Sequence, residues 1–295
     1  MKQPIFTGVA TALVTPFRDG AVDLATFDRL LDAQLAAGID ALVICGTTGE
    51  GSTLSTTEQL TLIAHAIRYA SGRCKVIAGC GSNDTSHALE LSQTASAMGA
   101  DGLLLVTPYY NKCTQDGLLA HYLTIADAVT CPIIAYSVPG RTGMDISVET
   151  CVRLSQHPNI NGIKEAGGDT SKAARILNEC GGDFFLWSGN DDQISPLIAL
   201  GARGVISVLS NVRPRETMSL THAALNGDQQ TAGRLQCELM PLIDALFCEV
   251  NPIPVKKAME LLGWKVGGLR LPLVEPSEEH IAYIKRELEN AGCKI

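Results

Sequence analysis

The stretch IFTGVATALVTPFRDG, residues 5 to 20, decides the fold. Its first ten residues form an apolar run with little alternation, the pattern of a strand buried on both faces. An open doubly wound sheet would carry a G-x-G-x-x-G turn directly after such a strand, and would need a topological switch point. TPFRDG follows here instead. Similar short runs recur along the chain: DALVICG (40–46), KVIAGCG (75–81), GLLLVTP (102–108), PIIAYSVP (132–139), GIKEA (162–166), FFLWSG (184–189) and GVISVLS (204–210). With residues 5–14 they make eight candidate strands.

Amphipathic helical patterns lie between them. LATFDRLLDAQLAAG (24–38) ends on a glycine placed to cap it. Ser55 and Glu58 fit a capping box at the start of the next helix. Residues 85–100, 117–129 and 170–180 follow the same pattern. Eight strand–helix alternations within residues 1–227 predict a (β/α)8 barrel. After Asn226-Gly227-Asp228 the strand signals stop, and 228–249, 252–262 and 277–290 read as three helices. Residues 228–295 are therefore expected to be a helical extension of the barrel, not an independent domain.

The 295 residues are 46% hydrophobic and 18% charged, an ordinary globular composition. A net charge of −8 argues against nucleic-acid or anionic-membrane partners. It leaves room for a small anionic substrate held by a local arginine. None of the ten cysteines forms a C-x-x-C pair and most lie in apolar runs, so reduced, buried thiols in a cytoplasmic protein are expected. The six histidines show no metal-ligand spacing. Pro4, Gly8 and the threonines interrupt the N-terminal apolar run, which reads as a strand and not as a signal peptide. No apolar run reaches the ~18 to 20 residues of a membrane helix.

In a barrel of this kind the chemistry gathers at the C-terminal ends of the strands. Those ends carry Thr47 and Thr48 in GTTGEG, Tyr109 and Tyr110 in TPYYNK, Tyr136, Arg141 in VPGRTG, Lys164, Gly189 with Asn190, and Ile206. Lys164 is the outlier, a cation inside an apolar strand. An amine attacks a carbonyl only when deprotonated, and burial lowers a lysine pKa from about 10.4 by up to several units. The alternative is an ammonium paired with a carboxylate, Glu165 or Asp191. Tyr136 is either a strand-end tyrosine or a proton relay linked to the hydroxyls of Thr47 and Tyr110. GTTGEG is either a plain turn or an anion-holding loop, but not a P-loop, because no GK[ST] follows. Arg141, between glycines in a loop, is either an ordinary surface arginine or a bidentate carboxylate binder.

Taken together, GVATALVTPF, GTTGEG, VTPYYNK, YSVPGRTG, GIKEA, SGND, GVISV and NPIPVK make the chain resemble the dihydrodipicolinate synthase family, within the pyruvate-dependent Schiff-base lyase and aldolase superfamily. The resemblance implies condensation of pyruvate with aspartate 4-semialdehyde to 4-hydroxy-tetrahydrodipicolinate, on the way to diaminopimelate and lysine. It implies that Lys164 forms the imine and that Tyr136 shuttles protons with Thr47 and Tyr110, the last reaching in from a neighbouring subunit. Thr48 and the backbone around Ile206 and Gly189 would hold pyruvate, and Arg141 the carboxylate of the semialdehyde. No metal or organic cofactor is implied, and a homotetramer or dimer is expected. The resemblance also points to a regulatory pocket at Asn83, His87, Tyr109, Thr56 and Gln59. Thr56 stands there in place of a histidine and His87 in place of an acid, so weak or absent inhibition by lysine is expected. Ser137, Gly51, Cys80 and Cys113 also depart from the commoner family residues, but none carries the chemistry above. The same imine chemistry could serve an N-acetylneuraminate or 2-keto-3-deoxy sugar-acid lyase. A reading of another class is a non-catalytic pyruvate or amino-acid binding protein.

Overall fold

The computed structural model describes residues 1–295. Eight parallel strands close into a barrel: β1 (Gly8–Ala12), β4 (Ala41–Ile44), β5 (Lys75–Gly79), β6 (Gly102–Val106), β7 (Ile133–Ser137), β8 (Ile160–Glu165), β9 (Phe185–Ser188) and β10 (Gly204–Ser207). Each pairs with its neighbours in chain order, and β1 closes the ring by pairing with both β4 and β10. This is the predicted (β/α)8 architecture. The strands are shorter than the apolar runs, because the ends of each run turn into loops. A two-stranded hairpin, β2 (Phe17–Arg18) with β3 (Ala21–Val22), follows β1. Two residues per strand are too few to leave a periodic signal.

The connecting helices are α1 (Leu24–Ala37), α2 (Thr56–Ala70), α3 (Thr85–Ala97), α4 (Gln115–Asp127), α5 (Pro139–Thr142), α6 (Val148–Ser155), α7 (Thr170–Glu179), α8 (Ile194–Leu200) and α9 (Pro214–Leu225). Gly38 caps α1 in the left-handed conformation, and both halves of the Ser55–Glu58 capping box form on α2. The eight predicted alternations imply helices after every strand, but no range is assigned from sequence to α5, α6, α8 or α9. The segment around Arg141 is corrected from loop to the one-turn helix α5, which Pro139 opens at a position needing no N–H and Gly143 ends in the left-handed region.

Apolar side chains pack in two places. One cluster lies between the strands and the helices, and a smaller one fills the barrel interior. The interior is plugged ahead of β1 by Phe6, whose ring stacks on Trp187 at 5.2 Å while its carbonyl accepts from Trp187 Nε1. The last three helices, α10 (Gln229–Leu246), α11 (Ile253–Leu261) and α12 (Glu278–Asn290), agree with the expected extension. Helix α10 packs on α9, and α12 on α10 and α11. The loop between α10 and α11 crosses the barrel mouth and delivers Phe247 and Asn251 to it.

Candidate active site

Side chains alternate along β8, so Ile163 and Glu165 face the helices and Lys164 faces the barrel interior. In register it stands between Tyr136 on β7 and Trp187 on β9. Lys164 is 6% exposed, and its Nζ lies 4.0 Å from the centre of the Tyr136 ring. It takes part in no ion pair. Both carboxylates considered as partners are engaged elsewhere. Glu165 accepts from Lys172 Nζ at 2.9 Å and from the Gly167 amide at 2.6 Å. Asp191 Oδ2 accepts from the amides of Val208 and Leu209, both at 2.9 Å. Burial raises the pKa of both acids, while Lys172 opposes this at Glu165 and the hydroxyl of Ser207 opposes it at Asp191. The lysine thus contacts an aromatic face and borders a cavity, with Asp191 acting on it through space and no direct salt bridge to hold it.

That space is a cavity of about 60 Å³, room for a few waters or one small acid. Lys164, Thr47, Thr48, Tyr136, Arg141 and Gly189 all border it. Thr48 is buried, and its Oγ1 accepts from Asn251 Nδ2 at 3.0 Å. Arg141 Nη2 donates to the Asn251 carbonyl at 3.1 Å. Ile206 belongs to the packing inside the barrel, and from that side Val208 faces the cavity. A wider cleft of about 440 Å³ adjoins it, with Thr47, Tyr136 and Arg141 shared between the two.

The GTTGEG loop is held rigidly. Cys45 has a positive φ of 60°, which turns its carbonyl toward Gly51 and Gly79. A Cβ at Gly51 would lie 2.2 Å from that oxygen and one at Gly79 2.5 Å, so the backbone at Cys45 would have to shift to admit a side chain at either position. Next in the loop, Glu50 points into the protein. Its Oε1 meets Lys256 Nζ of α11 at 2.7 Å, with side chains 0% and 3% exposed. Lys256 also donates to the carbonyls of Thr15 and Gly268 and sits over the Phe17 ring at 4.4 Å. Burial pulls the Lys256 pKa below its ordinary value, and Glu50 resists that pull. Arg270 adds a second tie, its guanidinium forming a two-pronged pair with Glu58 at 2.6 and 2.9 Å.

Two groups of predicted residues are not brought together in one chain. Tyr110, with a positive φ of 70°, is 93% exposed and does not reach the cavity, so the hydroxyl chain to Tyr136 is incomplete. Of the five residues assigned to a regulatory pocket, His87, Tyr109 and Gln59 line the wider cleft, whereas Thr56 and Asn83 do not. Asn251, Phe247 and the Glu50–Lys256 pair were not identified from sequence. NPIPVK offered only a helix start, with Asn251 lying 203 residues from Thr48. No group of three or more His, Cys, Asp or Glu side chains is arranged to hold a metal ion. No helix is long and apolar enough to cross a membrane.

Fold and site together define a (β/α)8 barrel with an unpaired internal lysine at the carboxyl ends of its strands. Residues 5–291 match the model of the dihydrodipicolinate synthetase family, and the chain belongs to that family. A 4-hydroxy-tetrahydrodipicolinate synthase of Exiguobacterium sibiricum is 54% identical over 281 residues, covering 95% of this chain and 96% of its own. The crystal structure of dihydrodipicolinate synthase from Aquifex aeolicus superposes with a TM-score of 0.96 at 43% identity, over 98% of this chain and 99% of that one. The enzyme of Acinetobacter baumannii, in a structure described as chloride inhibited and complexed with pyruvate, gives the same TM-score, identity and coverage.

Proposed function

We propose that the chain condenses pyruvate with L-aspartate 4-semialdehyde to give 4-hydroxy-tetrahydrodipicolinate, through an imine on Lys164. The observation that carries this reading is the lysine: buried, facing inward, in no direct salt bridge, and bordering a cavity of small-acid size. Relatives at about half identity bear that activity as their name, and the pyruvate complex of the Acinetobacter enzyme supports pyruvate as the first substrate.

The Lys164 amine adds to the keto carbon of pyruvate, and loss of water leaves the imine. The imine nitrogen then draws electrons as a methyl proton departs, giving an enamine. The enamine carbon attacks the aldehyde, forming the new carbon–carbon bond. The amino group of the incoming molecule closes onto the imine carbon and releases Lys164 as the free amine. Tyr136 and Thr47 carry protons for the water loss and for the release. Tyr110, on the outside of its own chain, completes the relay in a neighbouring subunit, which makes assembly part of catalysis. Thr48, with the backbone at Gly189 and Ile206, holds the pyruvate carboxylate, and Arg141 that of the semialdehyde.

On this reading the protein is a cytoplasmic enzyme of diaminopimelate and lysine biosynthesis, and a homotetramer or dimer. The sequence as drawn calls on amine and acid–base chemistry alone, with no metal or organic cofactor. Residues 228–295 serve as an integral part of the barrel unit 1–227. The test is intact-protein mass after borohydride reduction with pyruvate, followed by turnover with the semialdehyde. A single reduced pyruvyl adduct on Lys164 and turnover that disappears in Lys164→Ala are expected. Pyruvate binding without an adduct would overturn the imine. Turnover of N-acetylneuraminate or a 2-keto-3-deoxy sugar acid, with none on the semialdehyde, would overturn the choice of acceptor.

A further inference from the structure

We infer that Asn251, supplied by the helical extension, is a positioning residue that aims the Thr48 hydroxyl at the keto acid. The inference rests on the reading of the cavity as the pyruvate site. Three observations converge on this side chain. It is 6% exposed and borders the Lys164 cavity. Its Nδ2 lies 3.0 Å from Thr48 Oγ1. Its Oδ1 is buried with no hydrogen-bond partner.

An amide nitrogen can only donate. Thr48 Oγ1 must therefore accept from Asn251, and its own hydrogen is left to be donated elsewhere. No group of the protein takes that hydrogen, so it is available to a carboxylate in the cavity. Without Asn251 the hydroxyl could rotate freely. With an acceptor in its place, the hydroxyl would turn away from the substrate.

The same residue touches the second carboxylate binder by a different atom. Its backbone carbonyl accepts from Arg141 Nη2 at 3.1 Å. Side-chain substitution leaves that contact in place. Five residues on, Lys256 anchors the segment to Glu50. Asn251 thus joins both anion-binding groups, one through its side chain and one through its backbone.

Steady-state kinetics on Asn251→Ala and Asn251→Asp, varying each substrate separately, test the inference. Asn251→Ala is expected to raise the KM for pyruvate about three- to tenfold, the usual effect of one lost hydrogen bond between neutral groups. The KM for the semialdehyde should not move, because Arg141 keeps its backbone partner. Asn251→Asp, nearly isosteric, is expected to be worse than alanine for pyruvate, because it draws in the Thr48 hydrogen and sets a negative charge beside the substrate carboxylate. A purely structural role predicts the reverse order. Asp equal to wild type, or both KM values rising together, would overturn the inference. If Asn251→Asp does not fold, the double-mutant cycle of Thr48→Val with Asn251→Ala decides. Non-additive effects on the pyruvate KM support the inference, and additive effects overturn it. Borohydride trapping of pyruvate on the wild-type protein separates the two claims. Without an adduct the underlying reading fails, whereas an adduct with an indifferent Asn251→Asp defeats only the positioning role.

Discussion

Gly189→Ala tests how tightly the barrel holds its lysine. A Cβ built at Gly189 would lie 2.7 Å from Ala166 Cβ, 3.0 Å from Lys164 Cε and 3.1 Å from the Glu165 carbonyl. Carbon atoms pack at about 3.5–4.0 Å, so the overlaps amount to about 0.5–1 Å. Ala166 and Glu165 are tied to the backbone at the end of β8, and the Gly189 amide already donates to the Glu165 carbonyl at 2.8 Å. The contacts with Ala166 and the Glu165 carbonyl are relieved only if the ends of β8 and β9 shift, and Lys164 must move with them or rotate away. A shift of about 1 Å at a reacting atom costs up to ~100-fold in rate, so imine formation should slow by about 10- to 100-fold. The overpacking itself should cost about 1–3 kcal/mol of stability, a melting-point loss of a few degrees that leaves the protein folded at 25 °C. The assay is the rate of borohydride-trappable adduct formation per folded molecule, beside a thermal melt. Gly182→Ala is the control, because a Cβ there meets nothing within 4 Å. A Gly189→Ala protein that forms the adduct at the wild-type rate, or loses rate only in proportion to unfolding, would refute the reasoning.

Other outcomes follow from the same geometry. Lys256→Met or Glu50→Gln alone should cost about 3–5 kcal/mol in urea unfolding, because each strands a buried partner, and the double variant should cost less than the sum. Losses below about 1 kcal/mol would contradict that account. The hydrogen bonds from Arg270 hold the Glu58 pKa down to about 2, so this pair adds stability that is complete above the ordinary glutamate value and fades as pH falls toward 2. The melting-temperature gap between wild type and Arg270→Gln should therefore shrink between about pH 6 and about pH 2.5, and a constant gap would count against the pair. No carboxylate lines the wider cleft, so a lysine ammonium would find no counter-charge there. Millimolar L-lysine should leave turnover unchanged, whereas inhibition below a millimolar would contradict this. Tyr110→Phe and Lys164→Ala are each expected to be nearly inactive, yet to recover activity when mixed and reassembled. Failure to recover would place Tyr110 outside its neighbour's site.

The barrel was readable because parallel strands buried on both faces leave unbroken apolar runs, and the glycines and caps at their ends mark the turns. The hairpin at Phe17–Val22 is too short to carry a period, and helix α9 opens on the largely polar PRETMSLTH, which shows no clear apolar face. Lys164 was legible because a charge inside an apolar strand demands a reason. The structure gives Glu165 to Lys172 and one oxygen of Asp191 to backbone amides, so that Asp191 acts on Lys164 only through space and not through a salt bridge. Arg141 reads from sequence as a loop residue, because Gly140 and Gly143 outweigh the helix-starting proline at 139. Asn251 was not legible at all. Its meaning lies in two partners far away in sequence, a matter of tertiary packing that no local pattern records.

The Glu50–Lys256 contact bears on how this molecule can be dissected. Gly227 sits in a turn with a positive φ, an inviting place to sever the gene. The first fragment would then present a carboxylate in a slot shaped for an ammonium it no longer owns, and Thr48 would lose its neighbour. The second would bring an orphaned amine. Expressed separately, each piece is expected to be inactive. Co-expressed, each carries the other's missing charge, and turnover that returns only when the second fragment is added is the expected outcome.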